Sequence, residues 1–360
     1  MSGLRPLEPQ DIPDLVTLST SLFSREDTRS RQELVQNFDD VFLKNPWVNE
    51  SIPSWVYTDS REKIIGFLGV TPRRMLFRGE PVSVAVSQHM MVSAEARAPF
   101  APVEMLRKLL GGPQDLTIAD MANDISRKIW ERLGGEISPA FSIHWRRPLR
   151  PARFAAQVLG NRDGVSSVVA LGARFCAAPV DLIAARSRMS PMRVSPPPVQ
   201  EEQLNTTTHL DAIRKFSEQF TLRPEYTVRD LEWIAAALRR QQYHGAFQEA
   251  CIRSPEGDLL GWYMYFVRKS GSSEVVQVCA RPETMSVVLD SLLFSSWSKG
   301  CVDLAGRLDP LFMKTFSEKS CLFSPGRYWM LVHSRKPEIL NAIHRADAFL
   351  TRLEGDLWLV

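Results

Sequence analysis

The stretch Ser87–Leu110, SQHMMVSAEARAPFAPVEMLRKLL, puts reactive residue types where a strand gives way to a helix. An alternating pattern ends near Val92. Val103, Leu106, Leu109 and Leu110 then share one helical face, which Gly111-Gly112 closes. A loop between a strand and a helix N-terminus can hold an anion, because its N–H groups converge and the helix dipole favours negative charge. Arg97 adds a cation suited to phosphate. The loop has no glycine, and Pro99 and Pro102 carry no N–H, but Ala98, Phe100, Ala101, Val103 and Glu104 keep theirs. Pro102 suits a first helical turn. The same residues also fit a packed strand–helix turn that binds nothing.

His89 lies on the preceding strand, where an imidazole can act as a base near neutral pH. Alternation groups it with Ser87 and Met91 and puts Gln88 on the opposite face. A hydrogen-bonded core or surface histidine fits as well. Asp120 and Asp124 flank the end of the next strand and could bind a cationic or hydroxylated group. Asp124 could equally cap the helix that starts at Ile125. His144 and Trp145, in SIHWRRPL, face a groove or anchor a domain interface. Arg307, at the end of CVDLAGRL, holds an anion or pairs with Asp309.

The elements that must carry these residues follow from period and punctuation. LRPL is a short strand, and Asp11 could cap the helix IPDLVTLSTSLF, which has Pro13 in its first turn. RSRQELVQNFDDVFLKN is a second helix. SWVYTDS, EKIIGFLGVTPRRMLFRGE and VSVAVSQHMMV form an antiparallel meander. A helix, the strand DLTIADMA, the helix DISRKIWERLGG and the extended EISPAFSIHWRRPL complete this half. After the Pro-Pro-Pro run at 196–198, poorly suited to helix or sheet interiors, the order recurs: two helices, three strands from Gly245 to Arg281, a helix ending at Gly300, a strand and a helix. The second loop, CARPETM, is short and glycine-free, and no cofactor is expected there.

The composition narrows the class. A chain of 360 residues suggests two domains, and its hydrophobic and charged contents (44% and 24%) are those of a soluble globular protein. A net charge of +3 gives no support for nucleic-acid binding or a charged membrane surface. The five cysteines are far apart, with no CxxC, and read as reduced core thiols of a cytoplasmic protein rather than metal ligands or disulfides. The N-terminus has no signal-peptide pattern. The apolar stretch Val165–Arg186 is interrupted by Arg174, Pro179 and Asp181, so it reads as a linker helix and not a membrane span. Dinucleotide, P-loop, serine-hydrolase, zincin and EF-hand motifs are absent.

The opening LRPLEPQDIPDLVTL, the meander, MMVSAEARAPFAPVEMLRKLL and ADMANDISRKIWERLGG together resemble the GNAT superfamily of acyl-CoA-dependent N-acyltransferases, over about residues 3–150. The second half is similar in element order only, as in tandem GNAT-fold proteins and, more distantly, Fem-type aminoacyl transferases. The fold implied is α/β (an α+β mixed sheet), with two GNAT-like domains, each a largely antiparallel meander flanked by helices. Residues 1–150 would carry the acyl-CoA site. Residues 151–204 would be a linker with an apolar helix and a Pro-rich segment, and 205–360 a degenerate second domain.

In that family a splayed strand ends in Arg/Gln-x-x-Gly-x-Gly/Ala, which cradles the coenzyme A pyrophosphate. An Asn follows, and then a helix ending in Tyr-x-x-Leu-Gly-Phe, whose Tyr protonates the departing thiolate. Arg97 matches the leading residue, whereas Phe100 and Pro102 stand where glycines are usual. Asn123 and Leu133-Gly134 match, Trp130 stands at the Tyr and Gly135 at the Phe. An indole does not titrate, so Trp130 cannot be the acid.

The resemblance implies acetyl-CoA or another acyl-CoA as co-substrate and no metal. Backbone at Met91, Val92 and Ser93 would pair with the pantetheine arm. Arg97 and the turn Ala98, Phe100, Ala101, Pro102 and Val103 would hold the pyrophosphate, and Asn123 would fix the second splayed strand. His89 would be the base, and Asp120, His144, Trp145 and Arg307 would contact the acceptor. That acceptor would be an amine of a small molecule, sugar or amino acid, with no nucleic acid and no membrane span. A homodimer is compatible. The competing readings are an inactive GNAT-fold scaffold and a Fem-like enzyme. Near-neutral charge and the lack of a coiled-coil arm speak against the latter. An open V between the strand ending at Val92 and the strand beginning at Asp115 would distinguish a transferase from a scaffold, whose gap would be zipped.

Overall fold

A computed structural model of the chain describes residues 3–23, 29–93, 98–160, 180–183, 190, 192–268, 271–325 and 328–356. It divides into two compact units. The first comprises Met1–Ser142, Ser217–Tyr243 and Gly326–Val360, and the second Ile143–Phe216 and His244–Pro325.

The first unit is built on a mixed sheet. Strands β1 (Gly3–Pro6), β2 (Trp55–Thr58), β3 (Ile64–Phe77) and β4 (Glu80–Val92) run antiparallel in sequence order, as the expected meander requires. Then β4 pairs in parallel with β5 (Leu116–Ala122). On one face, α1 (Ile12–Phe23) and α2 (Arg31–Phe42) pack on β3, with the Phe38 and Phe42 rings against Phe67. α2 starts sharply because Ser30 and Glu33 form a reciprocal capping box. Asp11 does not cap α1. Its carboxylate turns back to Arg5 (2.6 Å) and to the Glu8 N–H (2.9 Å). On the other face, α3 (Ala101–Leu110) buries Met105, Leu106 and Leu109 against Leu68, Val70 and Ala85. α4 (Asp124–Arg132) adds the buried Trp130 to this layer.

The second unit has a sheet of the same construction. In it β7 (Ile143–Pro148), β8 (Gln200–Glu202), β10 (Ala246–Arg253), β11 (Leu259–Val267), β12 (Ser272–Ala280), β13 (Asp303–Arg307) and β14 (Leu322–Pro325) lie in the order β14-β7-β13-β12-β11-β10-β8. Here β12 and β13 form the parallel pair, again over three residue pairs.

These units do not follow the halves of the chain. β15 (Trp329–Ser334) lies in the first sheet between β5 and β6 (Glu136–Ile137), while β7 lies in the second between β13 and β14. Each half supplies the strand that completes the other half's sheet. β9 (Leu222–Pro224) also joins the first sheet, on the far end of β3. Helix α7 (Val228–Arg240) belongs to this unit too, started by a Thr227–Asp230 capping box. Most of the apolar stretch expected as a linker helix lies outside the described residues. Among those described, no helix is long and apolar enough to cross a membrane. Cys251, Cys279, Cys301 and Cys321 are buried.

The second unit buries a histidine. His209, on α6 (Thr206–Ser217), places Nε2 at 3.2 Å from Gln277 Oε1, which also accepts the Trp262 indole N–H at 2.6 Å. Desolvation lowers the His209 pKa to about 4. The unfolded chain takes up this proton below about pH 6.5 and the folded chain only near 4, so stability falls as pH drops through that window, by up to about 3 kcal/mol. Urea unfolding at pH 7 and pH 4.5 is expected to show a steeper loss in the wild type than in His209→Phe. Equal losses would contradict this origin.

Candidate acyl-transfer site

The site forms where β4 and β5 part. Their pairing covers only Val84–Leu116, Ala85–Thr117 and Val86–Ile118. Beyond that, β4 continues to Val92 and β5 to Ala122 without pairing each other. A bulge marks the divergence. Between the pairs Phe67–Met91 and Gly69–Gln88, Leu68 alone faces both His89 and Met90. His89 takes a left-handed backbone, φ 53°, which is uncommon outside glycine and costs on the order of 1 kcal/mol. An extra residue of this kind bends its strand and re-aims a side chain.

The bulge corrects the expected facing of His89. Strict alternation put Gln88 on the opposite face. Instead, Gln88 donates to Thr71 Oγ1 while the His89 ring meets Phe38 edge-on at 5.7 Å, so both turn toward α2. Phe23 contacts the ring from α1 at 5.9 Å. The imidazole is half-buried in this aromatic setting, and desolvation holds its pKa below the usual 6.5. The nearby Asp356 charge opposes that shift and Arg29 adds to it.

A cavity of about 170 Å³ fills the V. Gln88, His89, Ala119, Ala122, Asn123, Ser126, Trp130 and Asp356 are among its lining residues. It brings together His89, Asn123 and Trp130, which the sequence singled out in separate elements. Asn123 has a plain structural task here: its Oδ1 caps α4 by accepting the Ser126 N–H at 2.9 Å. The cap is therefore one residue earlier than Asp124, whose carboxylate accepts from the Trp329 indole (2.9 Å) and pairs with Arg127. Asp120 is buried beside Gly355, where a Cβ would lie 2.2 Å from its Oδ2.

The loop that follows β4 is only partly described, and Arg97 lies outside the described residues. The Ser93 N–H is bound to the Ile65 carbonyl (2.8 Å). The Ala101 N–H bonds Ala98 (3.2 Å), and the Glu104 N–H makes the first helical bond, to Phe100 (2.9 Å). These donors, expected to be available to a ligand, are thus used within the chain. With proline at 102, Val103 supplies the N–H of the first turn of α3. Phe100 is 70% exposed, so its bulk does not fill the interior of the turn.

Trp130 and Gly135 explain each other. The indole is buried, and a Cβ on Gly135 would come within 2.8 Å of its Cε3. A larger ring at one position is matched by the loss of a side chain at the other. Ser126, one turn before Trp130, shares the cavity. Helical spacing from Trp130 could have revealed it, whereas nothing in the sequence near Asp356 singles that residue out.

His144, Trp145 and Arg307 belong to the second unit. Trp145 is buried in its core against Phe316 (4.9 Å), and Gly306 leaves space for the indole. His144 is the register partner of Arg307. Asp309 caps a short 3₁₀ turn through the Leu311 N–H at 3.0 Å, and burial pushes its pKa up to about 6.

No family model matches the sequence, and neither does any curated protein. Solved structures do match. One is an Enterococcus faecalis V583 protein described as a probable N-acyltransferase, with a TM-score of 0.56 at 14% identity, over 92% of this chain and 72% of that one. A GCN5-related N-acetyltransferase from Anabaena variabilis matches at 0.56 and 11% identity, over 92% and 72%. Saccharomyces cerevisiae N-myristoyltransferase with bound myristoyl-CoA matches at 0.53 and 10% identity, over 92% and 79%. The chain has the fold of GNAT acyl-CoA N-acyltransferases.

If Trp130 and Gly135 are matched in size, Gly135→Ala alone should cost about 1–3 kcal/mol by overpacking. Adding Trp130→Tyr should recover part of that loss. A double-mutant cycle by chemical denaturation reads the coupling, and strict additivity would rule it out.

Proposed function

We propose that this chain transfers an acyl group, acetyl in the first instance, from acyl-CoA to an amine. The observation that carries the reading is the parting of β4 from β5, with His89 among the residues lining the cavity it opens. An inactive scaffold would close that gap. The fold likeness to N-acyltransferases supports the same reading.

The chemistry needs a neutral amine, a thioester held close and a path for the thiolate. The free edge of β4 near Met91 would take the pantetheine arm. The N-terminus of α3, with the Val103 N–H and Arg97, would hold the pyrophosphate. Desolvation keeps His89 neutral at physiological pH, the form a base must have, and it would remove the amine proton as the nitrogen attacks the thioester carbon. Collapse of the tetrahedral intermediate releases the thiolate. A thiol has a pKa of about 8.5, so its departure does not require Trp130 to act as an acid.

Thiol release from acetyl-CoA with an amine panel tests this. His89→Asn is expected to lower kcat/KM about 100-fold. Because the His89 pKa lies below 6.5, the wild-type rate should fall only as pH drops through that lower value. Asp356→Asn removes a charge that favours protonation and should move the limb lower, whereas Arg29→Gln should move it higher. An acid limb unmoved by both variants would exclude His89 as the base.

A further inference from the structure

Helix α4 brings two donors to the cavity between β4 and β5. Ser126 and Trp130 stand four residues apart, so they are neighbours on one helical face, with Cβ atoms about 6 Å apart. Both line the cavity. Among the described residues, neither side chain donates a hydrogen bond. The Ser126 N–H is held by Asn123 Oδ1, but its hydroxyl is not engaged. Trp130 is 1% exposed, yet its indole N–H is not closed off from solvent, as that of Trp145 is in the second core. Because Trp130 borders the cavity, its N–H opens there.

What such a pair can hold follows from its chemistry. A hydroxyl and an indole N–H both donate, and the indole N–H cannot accept. Two donors on one face suit an atom that carries negative charge. The first turn of α4, where Ser126 lies, favours the same sign through the helix dipole. Two titrating residues line the same cavity: His89 is neutral above its lowered pKa, and the Asp356 charge is negative. A permanent anion would be repelled by Asp356, whereas a charge that develops only during a reaction needs the donors at that moment. Leu106, Ala119 and Ala122 on the walls are apolar and buried, which strengthens a hydrogen bond made beside them.

We propose that Ser126 and Trp130 form a binding site for the departing thiolate sulfur, in which two hydrogen bonds take the place of proton donation. The proposal rests on the acyl-transfer reading. As the amine nitrogen bonds to the thioester carbon, His89 takes the amine proton. The carbon–sulfur bond then breaks, and its electron pair stays on sulfur. The sulfur accepts from the Ser126 O–H and the Trp130 N–H, leaves as thiolate and takes a proton from water after release. Neither donor titrates near neutral pH, so the step needs no acid in a particular protonation state. An indole where a phenol is usual thus changes how the sulfur is stabilised without removing the stabilisation.

The thiol of bound coenzyme A reads this site directly. Its ultraviolet thiolate absorbance is titrated on the full chain, with desulfo-coenzyme A as the blank. Burial raises the pKa of Cys251, Cys301 and Cys321, which keeps these thiols from adding to the signal. The bound thiol should titrate about one pH unit below the usual value of about 8.5. Ser126→Ala and Trp130→Phe should each raise it by about half a unit or more, and each should lower kcat with acetyl-CoA about tenfold. Ser126→Ala removes one hydroxyl from a half-buried position and should fold as the wild type does, which urea unfolding verifies. A bound thiol at its usual pKa or above, or a pKa that neither variant moves, would overturn the proposal and leave the transferase reading in place. Failure of coenzyme A to bind the wild type would overturn the acyl-transfer reading and this proposal with it.

Discussion

The short parallel contact between β4 and β5 is the constraint on which the site depends. Three residue pairs hold the strands together, and then the extra residue at the His89 bulge bends β4 away. The chain supports that bend from behind. Gly69 leaves room for the Phe42 ring, where a Cβ would meet it at 2.5 Å, and Gln88 is tied to Thr71. Phe38 and Phe23 then fix the direction of the imidazole. A left-handed histidine is a local cost that this packing offsets, and strain of that kind collects where a side chain must point against the pattern of its strand.

The same construction occurs twice with different contents. In each sheet a parallel pair of three residues follows the meander, and a strand from the other half of the chain lies beside the later member of the pair. Yet in the second sheet the strand neighbouring β13 brings Trp145 into a filled core, with Gly306 beneath it. In the first sheet, alanines at 119 and 122 leave space instead. At these positions the two sheets differ in side-chain volume.

Much of this was legible in the sequence where local rules decide. Alternation and helical spacing gave the meander, α3, β5 and α4 because each element's period reflects which face it buries. Gly134, with φ 90°, ends α4 as expected. The bulge was not legible, since SQHMMV reads as a plain alternating strand and only the pairing with Leu68 reveals the extra residue. Nor were the exchange of β7 and β15 or the approach of Asp356 to His89, which depend on partners far away in sequence. His144, Trp145 and Arg307 stand out in the sequence as polar or aromatic residues at strand ends. That criterion does not distinguish a groove from a second core.

If the gap between β4 and β5 receives acyl-CoA, filling it must weaken binding. Calorimetric titration of acetyl-CoA into the wild type and into Ala122→Trp, whose larger side chain would fill the cavity, tests it most directly. The account predicts micromolar binding to the wild type and a loss of about 100-fold or more in the variant, near 2.7 kcal/mol, with folding intact. Equal affinity in both proteins, or no binding to the wild type at millimolar ligand, would contradict it.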